Sequence, residues 1–233
     1  MQAVTERIAR AARAAGRDPA SVRLLAVSKT RPAARVEEAY RAGQAAFGES
    51  YVQEALGKMD ELAALLGEER ARALEWHLVG PLQSNKTRPA AERFAWVHSI
   101  ERERIARRLS EQRPAACAPL NVLVQVNVSG EASKSGVLPG GVAPLARAVA
   151  ALPRLRLRGL MAVPEPTGDT GLQRARFRAV RDLFERLRGA GLELDTLSLG
   201  MSDDMEAAIA EGSTMVRIGT AIFGARQKVR DAA

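Results

Sequence analysis

A single (β/α)8 TIM barrel preceded by an extra N-terminal helix is the fold this sequence predicts. Eight short β-type runs alternate with helix-type runs along the chain, and such alternation implies parallel strands joined by helical crossovers. Several of the β-type runs, 121–126 above all, are apolar without clean alternation, as strands covered on both faces should be. The length of 233 residues suits one such barrel. A doubly wound open sheet is the competitor, but its G-x-G-x-x-G fingerprint is missing. No shift of composition marks a boundary, so residues 1–233 read as one domain.

The opening stretch, 2–15, reads as an amphipathic helix. It carries charge throughout, and no signal peptide or membrane span is visible. Its arginines could suggest a transit peptide, but Glu6 and Asp18 argue against one. The expected strands are 22–27, 45–48, 76–79, 96–99, 121–128, 156–162, 195–199 and 215–219. Helices are expected at 33–42, 50–66, 84–91, 101–111, 141–151, 170–189 and 203–211. The best defined is 170–189, where Leu172, Phe177, Val180, Phe184 and Leu187 recur at helical spacing. Asp182 and Arg186 add an i,i+4 pair, and Gly189 with Gly191 marks the end. For 203–211, Ser202 is the expected N-cap, Asp203 and Asp204 fall in the positive first turn, and Gly212 follows the end.

Composition narrows the function. Hydrophobic residues make up 46% and charged residues 27%, so a folded domain is expected. Aromatics are only 4%, so Val, Leu, Ile and Ala must build the core. The one cysteine, Cys117, rules out an intramolecular disulfide and a Cys-based zinc site. It reads as a spacer near Pro114 and Pro119 and fits a reducing cytoplasm. A net charge of +8 invites a nucleic-acid reading. The positive residues are interleaved with acids, as in Arg102-Glu103-Arg104, and no zinc-finger or aromatic ribonucleoprotein pattern appears. Solvated helix faces explain the charge, with non-specific polyanion binding expected only at low salt. The two histidines, His77 and His98, each lie in a strand near a tryptophan and are expected to form core hydrogen bonds. Without an acidic cluster beside them, no metal site is expected.

In such a barrel the chemistry sits on the loops that follow the strands' C-terminal ends. The unusual residues gather there: Ser28-Lys29 after strand one, Gly48-Glu49-Ser50-Tyr51 after strand two, and Gly80 to Lys86 after strand three. Strand five leads from Asn127 to Ser133-Lys134-Ser135-Gly136. Gly200-Met201-Ser202 follows strand seven, and Gly219-Thr220 follows strand eight. Only 5 of the 35 basic residues are lysines, and Lys29, Lys86 and Lys134 lie on this face. Lys86 and Lys134 are expected to be surface or loop-anchoring residues in preference to parts of a second phosphate contact. Lys29 closes the apolar run 22–27, where a guanidinium could not shed a proton to attack a carbonyl but a tuned amine can.

Loops seven and eight are a common phosphate seat in barrels, so Ser202, Gly219 and Thr220 are candidates for an anion site. A lysine facing such a seat across the mouth points to pyridoxal phosphate, which has an aldehyde for the amine and a phosphate for the loop. Arg217, between Val216 and Ile218, could face the interior beside the ring. An arginine there keeps the pyridine nitrogen unprotonated and disfavours transaminase-type chemistry.

These residues resemble the pyridoxal phosphate homeostasis protein family, which is similar to the barrel domain of alanine racemases. The resemblance covers nearly the whole chain. It rests on Ala26-Val27-Ser28-Lys29-Thr30, the run from Trp76 to Lys86, Gly159-Leu160-Met161, the run from Leu199 to Asp204, and the run from Gly212 to Gly224. It implies that Lys29 holds pyridoxal 5'-phosphate as a covalent imine, that Ser202, Gly219 and Thr220 hold its phosphate, and that Arg217 approaches the pyridine nitrogen. Ser50 stands where the family usually has Asn near the ring substituents, which implies a shorter or water-mediated contact. Ile100-Glu101 follows His98-Ser99 where Val-Asp is usual. The implied function is intracellular pyridoxal phosphate homeostasis, buffering or delivering the cofactor without catalysis and meeting apo-enzymes only transiently. The rival is a pyridoxal phosphate-dependent amino-acid racemase. In alanine racemases the second acid–base group is a tyrosine from an additional β-domain, contributed across a dimer. This chain ends shortly after its last expected strand, and Tyr40 and Tyr51 fall in a helix and at a helix start. A monomer without that domain is therefore expected.

Overall fold

The structure, a computed structural model, describes residues 1–131 and 134–224; Ser133 of the loop after strand five lies outside them. All the expected strands are present: β1 (Arg23–Val27), β2 (Ala46–Glu49), β3 (Glu75–Leu78), β4 (Trp96–Ile100), β5 (Leu120–Val126), β6 (Leu155–Ala162), β7 (Thr196–Ser198) and β8 (Met215–Ile218). They pair in parallel and in chain order. Strand β8 returns to β1, matching Arg23 with Met215 and Ala26 with Ile218, and so closes the barrel.

Around it run α1 (Gln2–Ala14), α2 (Ala33–Arg41), α3 (Val52–Leu66), α4 (Glu68–Arg72), α5 (Thr87–Arg93), α6 (Glu103–Gln112), α7 (Pro139–Ala150), α8 (Thr170–Gly189), α9 (Met205–Ala210) and α10 (Thr220–Phe223). Helix α8 has its expected bounds, and the Asp169 carboxylate accepts the Leu172 amide at 3.1 Å to start it. Helices α4 and α10 were not expected, because five and four residues are too few to show a period. The expected cap at Ser202 is corrected. Helix α9 starts at Met205 with Asp204 in the N-cap position, and Asp204 Oδ1 turns back to accept the Met201 amide at 2.6 Å. None of the described helices is long and apolar enough to cross a membrane.

The pleat sorts the strand residues into two sets. Ala26, Phe47, Leu78, Val97, Val124, Leu160 and Leu197 pack outward against the helices in the main core. Helix α1 docks separately, setting Val4, Ile8 and Ala12 against Met205 and Ile209 of α9 and Val216 and Ile218 of β8. Arg7 also forks onto Glu206 at 2.5 and 2.7 Å. Burying Val4 and Ile8 contributes about 1.5–3 kcal/mol each, whereas an exposed ion pair gives about 0–1 kcal/mol, so packing holds α1 in place. Helices α8 and α9 are fastened by Glu211, whose buried carboxylate accepts Arg174 at 2.8 Å, Arg178 at 2.9 Å and Arg181 at 3.1 Å.

Inside the barrel, aliphatic packing is sparse. Two small clusters, Leu25-Ala46-Met215 and Trp96-Leu123-Met161, share the space with buried His77, His98, Ser198 and Arg217.

Candidate functional site

Lys29 lies two residues beyond β1, half-buried at the C-terminal rim of the barrel. The backbone on both sides of it is clamped. Lys58, reaching in from α3, donates to the Ser28 carbonyl at 2.9 Å, to Glu49 Oε1 at 2.6 Å and to Glu54 Oε1 at 3.0 Å. The Ser28 hydroxyl donates to the same Glu49 oxygen at 2.6 Å, and the Thr30 amide donates to Glu54 at 2.5 Å. Thr30 has φ 62°, a left-handed conformation that costs a non-glycine residue about 1–2 kcal/mol. The Glu54 bond to its amide offsets part of that cost. Glu49 is fully buried, and its other oxygen, Oε2, has no protein partner. Burial pushes the Glu49 carboxyl up, with Lys58 pulling against it.

Strand β8 runs beside β1, so its exit loop is next to Lys29. A Cβ on Gly219 would come within 3.2 Å of the Val27 carbonyl, so the two loops meet at backbone distance. Thr220, exposed, opens α10 just beyond. On the β7 loop Gly200 has φ 89°, and a Cβ there would come within 2.6 Å of Ala208. That close approach seats the turn carrying half-buried Ser202 on α9. Arg217 is 4% exposed; it donates to Ser198 Oγ at 2.8 Å, to the Ser198 carbonyl, and to the Ala162 carbonyl at 2.8 Å. Burial lowers its pKa to about 10, with Asp204 acting against the shift, so it stays cationic at neutral pH. Ser50 follows β2, buried, and a Cβ on Gly80 would lie 2.2 Å from its carbonyl oxygen.

The six residues singled out in the sequence, Lys29, Ser50, Ser202, Arg217, Gly219 and Thr220, therefore come from the ends of β7, β8, β1 and β2. These strands are consecutive around the closed ring. One expectation changes: the β8-loop candidates for an anion seat, Gly219 and Thr220, were expected across the mouth from Lys29 but lie on the strand next to it, because β8 closes on β1. The remaining sequence candidates lie elsewhere. Lys86 donates to Gln53 at 3.1 Å and anchors its loop, and Lys134 sits in the loop after β5, where its carbonyl accepts from Asn127 at 3.2 Å. Tyr40 packs on the main core, while Tyr51 is 61% exposed at the start of α3.

The histidines make core hydrogen bonds, as expected. Both are fully buried, His77 Nδ1 lies 2.9 Å from His98 Nε2, and His98 Nδ1 lies 3.1 Å from Ser198 Oγ. The Lys58–Glu49–Glu54 clamp went unnoticed in the sequence. A signal for it existed, since Lys58 is another of the scarce lysines and stands four residues after Glu54.

With that geometry in place, the likenesses to known proteins are informative. The family described as alanine racemase, N-terminal domain, matches residues 1–227. The pyridoxal phosphate homeostasis protein of Pseudomonas aeruginosa is 63% identical over 223 residues, covering 96% of this chain and 93% of that protein. The protein of the same name from Escherichia coli is 56% identical over 223 residues, covering 96% and 94%. Among solved structures, PipY of Synechococcus elongatus with pyridoxal phosphate bound superposes with a TM-score of 0.79 at 37% identity, covering 93% of this chain and 100% of that one. Alanine racemase from Corynebacterium glutamicum, at 20% identity and TM-score 0.64, covers 99% of this chain and 63% of its own and shares the fold.

Proposed function

The chain belongs to the alanine racemase N-terminal domain family and, within it, to the pyridoxal phosphate homeostasis proteins, and from that premise we propose that it binds pyridoxal 5'-phosphate through Lys29 and buffers or delivers it in the cytoplasm. The observation that carries the reading is the single arc of the rim that gathers Lys29, Arg217, Ser202, Gly219 and Thr220 on neighbouring strands. The residues suit the group. Lys29 supplies an amine for the aldehyde, Ser202 and Thr220 supply hydroxyls, and Gly219 lets main chain approach a phosphate where a Cβ would crowd Val27. Arg217, a cation and only a donor, suits an unprotonated ring nitrogen. Ser50 would meet the ring substituents. When bound, the cofactor would supply an electrophilic carbonyl and a conjugated ring. The clamp around Ser28 and Thr30 would hold Lys29 in place for it.

We read the whole chain as one pyridoxal phosphate-binding domain, a monomer that meets apo-enzymes transiently. The carrier reading is preferred to a racemase because the named relatives are homeostasis proteins and because Tyr51 stands exposed, with no activating partner among the described residues. The purified protein, incubated with pyridoxal phosphate, should turn yellow. Borohydride should fix the cofactor on the peptide carrying Lys29, and Lys29→Ala should remove both signals. A wild-type protein that stays colourless would sink the reading. Alanine and serine in deuterium oxide should exchange their α-hydrogens no faster with the loaded protein than without it, and sustained exchange would favour the racemase.

A further inference from the structure

A continuous hydrogen-bonded line runs through the barrel from buried Arg217 near the mouth, through buried Ser198, His98 and His77, to half-buried Glu75 and exposed Arg23 at the opposite end. Arg217 donates to Ser198 Oγ at 2.8 Å, Ser198 Oγ meets His98 Nδ1 at 3.1 Å, and His98 Nε2 meets His77 Nδ1 at 2.9 Å. His77 Nε2 reaches Glu75 Oε1 at 2.5 Å, at the first residue of β3, and Arg23, at the first residue of β1, holds the same oxygen at 2.9 Å. The plane of His77 is set by Trp96, stacked at 5.2 Å and 7°, with the Arg158 guanidinium 4.9 Å from the Trp96 ring centroid.

Elementary donor counting gives this line a single direction. A guanidinium can only donate and an ionised carboxylate can only accept. Glu75 therefore requires the hydrogen on His77 Nε2. His98, fully buried with no carboxylate beside it, is neutral. His77 does have Glu75 beside it, but burial outweighs that pull and keeps its ring neutral at neutral pH, so His77 Nδ1 accepts from His98 Nε2. By the same reasoning His98 Nδ1 accepts the Ser198 hydroxyl, whose oxygen accepts from Arg217. Every link points the same way, and no alternative arrangement satisfies both ends with neutral rings. The electrostatics agree: burial holds both histidines below their ordinary range, and Glu75, which burial pushes up, is brought below its own by His77 and Arg23. Asp204 is the acid that faces Arg217 from the mouth side.

We propose that Ser198, His98 and His77 are positioning residues that hold Arg217 in one hydrogen-bonding state and couple it to Glu75 and Arg23 at the far end of the barrel. The use of that state, a fixed donor presented to the ring nitrogen, rests on the cofactor reading above. The coupling itself belongs to the protein before any cofactor arrives.

The test is nitrogen-15 NMR of the full chain, labelled at histidine and arginine, first without and then with pyridoxal phosphate. At neutral pH both rings should be neutral with the hydrogen on Nε2. Glu75→Gln keeps an acceptor but removes its charge. It should shift the His77 resonances, then those of His98, then the Arg217 side chain, and in the loaded protein the absorption maximum. Ser198→Ala should confine the Glu75→Gln effect to the histidines, and Ser198→Thr, which restores a hydroxyl, should let it through again. A ring protonated or carrying its hydrogen on Nδ1 would overturn the proposal, as would a Glu75→Gln effect on Arg217 that survives Ser198→Ala. Protein that stays colourless would sink the cofactor reading alone, since the Arg217 resonances of the unliganded protein still decide the coupling.

Discussion

Lys58 shows how much one buried charge can organise. Its ammonium has three hydrogens, and the structure gives it three acceptors: the Ser28 carbonyl, Glu49 and Glu54. Replacing it with methionine would fill the space but leave the Glu49 carboxylate buried without a cation, a loss of about 3–5 kcal/mol. Urea denaturation of Lys58→Met should show that loss, and adding Glu49→Gln should recover part of it. The single variant should also take up pyridoxal phosphate more weakly, because the peptides flanking Lys29 lose their clamp. A Lys58→Met protein as stable as wild type would contradict this account. The scarcity of lysine in the sequence pointed equally to Lys29 and Lys58. Lys29 stood out because it ends an apolar run, which is local information. The burial of Lys58 depends on α3 lying over β2, which no local pattern records.

At the scale of elements, the strands were legible because each is a short apolar run ended by glycine or polar residues, and α8 because its long amphipathic period leaves little choice. The start of α9 was not. Ser202, Asp203 and Asp204 are all good caps, and the choice among them is made by Met201, whose amide needs an acceptor once Gly200 turns into the left-handed region. Site residues were legible in so far as a strand end places them. What the sequence could not show was their adjacency: strand order in the chain is linear, and only closure of β8 on β1 puts Gly219 next to Lys29. Short helices such as α4 are specified by their neighbours more than by their own residues.

For the whole molecule, the buried histidines tie stability to pH. Burial lowers both pKa values, with Glu75 opposing the shift at His77, whereas the unfolded chain titrates near the ordinary value of about 6.5. Below that pH the unfolded chain gains protons that the folded barrel refuses. Stability is therefore full above about pH 6.5 and falls as the pH drops toward the folded-state values, by up to about 1.4 kcal/mol per pH unit for each histidine. Urea midpoints measured from pH 7.5 down to 5.5 should decline accordingly, and His98→Asn should flatten the slope. A midpoint independent of pH over that range would refute the assignment of neutral rings.

Barrels of this architecture are usually modular, with loops at one end free to be exchanged while the other end keeps the scaffold standing. The polar line through this interior removes that freedom. Transplanting the four rim loops onto a foreign barrel would carry over Lys29, Ser50, Ser202 and Thr220 but leave behind Arg217, which lies within β8, and an arginine grafted at that strand position would lack Ser198, His98 and a carboxylate at the floor. A designer seeking to reuse this site would have to move the lumen together with the loops.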